Sequence, residues 1–97
     1  MNFAAFKQTI QLQKPPALNS PHLLAMWYDA REDWEAAHHI IQDLHDRNAS
    51  LIHAYLHRKE GDTFNAGYWY SKAGSSMPDQ SIEKEWETIV IQLLSVK

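Results

Sequence analysis

Six of the 97 residues are histidine, more than a small domain needs for packing. His53, His57 and Glu60 stand four and three positions apart, so on a helix they share one face. Two imidazoles at that interval can grip one divalent metal ion such as zinc, and the carboxylate can complete or orient the set. The pattern is not H-E-x-x-H, because Ala54 stands where that motif needs Glu. A third ligand must then come from elsewhere, with His38 and His45 as the candidates. The same groups could serve a metal-dependent or acid–base enzyme. The competing expectation is structural. Histidines on a central helix close internal hydrogen bonds, for example His57 to Glu60 or to the Tyr70 hydroxyl, because a buried polar group left unpaired costs about 1–3 kcal/mol.

The run Tyr68-Trp69-Tyr70 is the densest aromatic stretch. On a helix Ala66, Trp69, Tyr70 and Ala73 group together as a packing face, and Phe64 and Tyr68 fall on the other side. If exposed beside Trp34 or His39, Phe64 and Tyr68 form an aromatic surface of the kind enriched at interfaces. The slightly preferred expectation is that the last helix covers them. Arg58, close to Glu60 and Asp62, offers a planar fork to an anion or pairs with a nearby acid. Asp33 and Asp62 precede helices and read as caps. There is no G-x-S-x-G elbow, no phosphate-cradling glycine loop and no dinucleotide fingerprint.

The formal charge is −3, and nine Lys plus Arg nowhere form the basic stripe that neutralises phosphates, which argues against nucleic acid as a partner. Cysteine is absent, which removes disulfides, thiol nucleophiles and cysteine-ligated metal sites. No apolar run approaches the roughly 20 residues that cross a bilayer. The first ten residues lack the basic start and apolar core of a signal peptide. A cytoplasmic protein with no membrane association is therefore expected.

These groups need helices to position them. Ala25, Asp33 and Ala37 stand at the same eight- and four-residue intervals as Ala54, Asp62 and Ala66, with small residues where two helices must approach. Periodicity and punctuation predict a first helix over about residues 2–13, ended by Pro15-Pro16. Ser20-Pro21 opens a second, through about residue 31. The third spans about 34–45, with Trp34, Ala37, Ile41 and Leu44 as its stripe. Ser50 is expected to cap a fourth helix through Glu60, stopped by Gly61. Asp62 caps a fifth, over about 63–73, and the sixth covers about 80–96 with Ile82, Trp86, Ile89, Leu93 and Val96 on its apolar face. No stretch alternates as a strand would.

The second hairpin resembles a tetratricopeptide-type repeat: Ala54, the Gly61-Asp62 turn, Ala66, Tyr70, Ala73 and Pro78 fall at that family's packing positions. Ala66, Trp69-Tyr70 and Lys72-Ala73 also resemble the A-x-x-W-Y-x-K-A signature of Sel-like repeats. The first hairpin keeps Leu24, Ala25, Tyr28, Ala37 and Ile41, but has Glu32 in place of the turn glycine and Leu44 in place of the last alanine. The stretch from His53 to Asp62, with Asn65-Ala66 and Tyr68 to Tyr70, is in addition similar to a family of small uncharacterised proteins.

The resemblance implies an all-α domain over residues 1–97 of antiparallel helical hairpins, tetratricopeptide-like, with terminal capping helices. The alternative is a four-helix bundle with an extra helix. It also implies a default role, a non-catalytic module that binds a protein or peptide partner or pairs with itself. The binding surface is expected around His53, His57, Phe64, Tyr68 and Arg58, without a cofactor. The alternative function is a metal-dependent or acid–base enzyme in which His53, His57, Glu60 and His38 hold a divalent ion such as zinc.

Overall fold

A computed structural model describes residues 1–95, and Val96, assigned above to the apolar face of the last helix, lies outside them. Among the described residues there are six helices and no strand: α1 (Phe3–Thr9), α2 (Pro21–Ala30), α3 (Trp34–Ile41), α4 (Arg47–Lys59), α5 (Thr63–Lys72) and α6 (Ile82–Leu94).

The helix starts follow from local chemistry. The Asn2, Ser20, Asp33, Asp46, Asp62 and Ser81 side chains each accept a backbone N–H of the following first turn. Three boundaries differ from expectation. Helix α4 is capped by Asp46 rather than Ser50, which lies buried inside the helix. The Asp46 carboxylate caps Ala49 N–H and also takes 2.8 and 3.0 Å contacts from His22 Nε2, a partner 24 positions upstream. Helix α3 stops at Ile41, one turn short. Helix α1 stops at Thr9, where side chains of α2 and the turn after it compete for the end: Trp27 Nε1 donates to Thr9 O and Arg31 to Ile10 O.

Helices α2 and α3 form one hairpin and α4 and α5 another. Their turns match atom for atom. Asp33 N–H donates to Tyr28 O and Asp62 N–H to His57 O, the six-residue closure of a Schellman ending. That closure demands a left-handed residue, which is Gly61 in the second turn (φ 90°) and Glu32 in the first (φ 61°). The paired alanines, Ala25 with Ala37 and Ala54 with Ala66, are all fully buried, so their small side chains let the two helices of each hairpin close up.

The main core joins Phe6, Met26, Trp27, Ile41, Ile52, Leu56 and Val90, and a smaller one joins Ala54, Ala66 and Tyr70. Helix α6 packs on α2, α4 and α1. Trp86 anchors it by donating to Met26 O at 3.1 Å and by an edge contact with Phe3 at 5.8 Å between ring centroids. The two terminal helices therefore meet each other on one side instead of closing opposite ends. No helix among the described residues is long and apolar enough to cross a membrane.

Two buried carboxylates stitch these layers. Asp29 of α2 accepts from the Tyr55 hydroxyl and pairs with Lys59 at 3.0 Å. Glu85 of α6 accepts from the Tyr70 hydroxyl and pairs with Arg58 at 2.8 Å. Both phenols are held well above their ordinary pKa, first by burial and then by the carboxylate each one faces.

Candidate functional site

Helix α4 carries three different faces. Ile52 and Leu56 enter the main core, Ala54 meets α5, and His53 and His57 point into the junction of α3, α4 and α5. There the structure brings together three of the residues expected to ligate metal. One nitrogen from each of His38, His53 and His57 lies within 4.8 Å of the others. The Nε2 atoms of His38 and His53 are 3.1 Å apart, so one ring donates to the other.

Glu60 takes an outer position. Its carboxylate accepts from His57 Nδ1 at 2.7 Å, the internal bond anticipated for that pair, which leaves Nε2 as the uncommitted ring nitrogen. The Tyr70 hydroxyl, the other expected partner of His57, goes to Glu85 instead. His45 is exposed and takes no part, because α3 ends before reaching it.

Two indoles wall the cluster. Trp34 stacks on His38, with centroids 4.8 Å apart and planes 8° from parallel, and its Nε1 donates to Leu56 O at 2.7 Å. Trp69 stacks on His53 at 3.9 Å and 16°. Sequence reasoning did not assign either ring to the site. A signal existed for Trp34, which stands one helical turn before His38; the Trp69 contact crosses between helices and leaves no spacing to read.

Burial, and then the neighbouring His38 and His57 rings, lower the pKa of His53 from 6.5 to about 4. His38 is lowered too, by burial first and then by His57 and His39, against an opposing pull from Glu60. His38 and His53 are thus held toward the neutral imidazole, the form that offers a lone pair.

Beyond Trp69 the site opens. Tyr68 meets Trp69 edge-on at 5.2 Å, and Lys72 Nζ lies 5.6 and 5.4 Å from the two ring centroids. Phe64, one turn earlier on the same helix face, is 86% exposed and Tyr68 53%. Helix α6 does not cover them, contrary to the preferred expectation, because it is committed to α1, α2 and α4. Arg58 lies on another side of α4, where its guanidinium is used by Glu85 and by Gln80 O, so it is no anion clamp beside the histidines. Compared with protein-family models, with curated proteins and with solved structures, the chain gives no match.

Proposed function

We propose that this chain is a binding module that holds a segment of a protein partner against the outer face of α5. The observation that carries the reading is the pair Phe64 and Tyr68: two aromatic side chains one turn apart, both largely in water, in a molecule that packs Phe6, Trp27, Tyr55 and Tyr70 away. Aromatic rings left in solvent on one helix face suit an interface, where they bring large contact area at little rotamer cost.

The partner's chemistry follows from charge. Lys72 is the one charged side chain of α5, and it stands over Tyr68 and Trp69 in a chain whose formal charge is −3. A segment presenting apolar side chains next to an acidic one fits that face. The tetratricopeptide-type resemblance of the second hairpin supports the same reading, since stacked hairpins of that kind present extended binding surfaces.

Selection from a displayed random-peptide library tests this. Immobilised protein should enrich sequences with an acidic residue beside apolar ones, and Phe64→Ala/Tyr68→Ala should lose them. No enrichment, or equal enrichment by the double variant, overturns the reading. A concentration-dependent dimer that the double variant dissolves would replace the foreign partner with a second copy of the chain.

A further inference from the structure

We propose that His38, His53 and His57 form a site for one divalent transition-metal ion, with zinc as the best fit. Its ligands lie on α3 and α4, so the site stands whether or not the α5 surface binds a partner.

Geometry comes first. Zinc bonded to nitrogen at about 2.0–2.1 Å in a tetrahedron holds its ligand atoms roughly 3.3–3.4 Å apart. The His38 and His53 Nε2 atoms are already at 3.1 Å, and the third nitrogen lies within 4.8 Å, a gap that small side-chain rotations close. The ligands come from two helices, so the ion would clamp α3 to α4.

Proton placement agrees. Two facing Nε2 atoms share a single proton in the metal-free protein; a cation replaces it and takes both lone pairs. In His57 the Nδ1–H is spent on Glu60, which leaves Nε2 as the donor atom of the neutral ring. This carboxylate–imidazole contact is the outer-shell arrangement that fixes ring orientation and raises ligand basicity. Trp34 and Trp69 hold the other two rings from their faces, so little side-chain freedom remains to be lost on binding.

The donor set names the metal class. Three imidazoles without sulfur suit zinc, and also copper, nickel and cobalt, better than magnesium or calcium, which prefer oxygen. Three protein ligands leave a fourth position for water or a small anion. A second grouping, His57 with Glu60 and Asp62, does not compete: Glu60 is held by His57, and Asp62 is occupied in capping Asn65 through both its N–H and its side-chain amide.

Titrate purified, chelator-treated protein with zinc chloride in a calorimeter, and with cobalt chloride in a spectrophotometer. We expect one ion per chain, and the intense visible bands of four-coordinate cobalt. His38→Ala should weaken zinc binding at least about 100-fold, and Glu60→Gln about 10-fold through loss of the outer contact. Circular dichroism checks that each variant folds. His39→Ala and His45→Ala, altered at exposed rings outside the cluster, should bind like the parent protein. Absence of zinc uptake, cobalt bands of the pale octahedral type, or equal affinity in His38→Ala and the parent overturns the site. Should His38→Ala fail to fold, Glu60→Gln and the cobalt spectrum of the parent protein still decide the matter.

Discussion

The Tyr55 hydroxyl donates a 2.6 Å hydrogen bond to Asp29, a carboxylate only 1% exposed. That bond joins α4 to α2 at the centre of the molecule, and Lys59 completes the set at 3.0 Å. Tyr55→Phe would keep the ring packing and strip a buried charged acceptor of one donor. We expect a loss of about 1.5–3 kcal/mol, measured by urea denaturation, with the helical content of the native baseline unchanged.

Arg58 and Lys59 are neighbours in sequence and neutralise acids on different helices, Glu85 of α6 and Asp29 of α2. Removing one partner of such a pair leaves the other stranded. Arg58→Ala should cost about 2–4 kcal/mol, less than for a wholly buried pair because the Arg58 side chain keeps some access to water. Arg58→Met combined with Glu85→Leu and Tyr70→Phe should recover much of that loss, the last change removing the buried hydroxyl that would otherwise lose its acceptor. A triple variant as unstable as Arg58→Ala would show that the ion pair does more than neutralise Glu85.

Glu32 sits at φ 61° in a turn that its twin builds with Gly61. Glu32→Gly should therefore stabilise the fold by about 1 kcal/mol, since the 3.5 Å contact it gives up with Lys59 is mostly solvent-exposed and worth little. Gly61→Ala should do the reverse by a similar amount. Nothing lies within 4 Å of a methyl at that position, so the cost is conformational alone. Thermal unfolding of the two variants side by side checks both signs.

In the metal-free protein, stability should fall as the solution is acidified from neutrality. The unfolded chain protonates His53 near pH 6.5, whereas the folded chain holds out to about 4. Between those values the unfolded state binds the extra proton and is favoured, by about 3 kcal/mol in all once the pH passes the lower value. His38 pulls the same way, and Glu60 opposes it. Denaturation midpoints measured at pH 7.5, 6 and 5 should decline in that order, and His53→Gln should flatten the trend.

What could be read in advance divides along the range of the forces involved. Ser20-Pro21, Asp33 and Asp62 act within one helical turn, and each cap appears where its residue type puts it. The start of α4 was not legible, because Asp46 is secured by His22 from a distant part of the chain. The same limit governed the site. His38 and His45 are two turns apart, so a third helix running through both presents them on one face, and spacing cannot choose between them. The early end of α3 at Ile41 makes the choice by dropping His45 from that face. The exposure of Phe64 and Tyr68 turned on where α6 settles, which depends on Trp86 reaching Met26 O and on Glu85 meeting Arg58. Contacts of that length leave no local mark.

Helix α4 touches α2, α3, α5 and α6. Chains of stacked hairpins commonly melt piecemeal, one unit fraying while the next persists. This fold has no such option. Peeling away either α2 or α6 would part a buried carboxylate from its partners on adjacent positions of α4, and α5 cannot leave without taking the Tyr70 hydroxyl from Glu85. The amides of α4 are therefore the ones to exchange with solvent last, and only through opening of the whole domain.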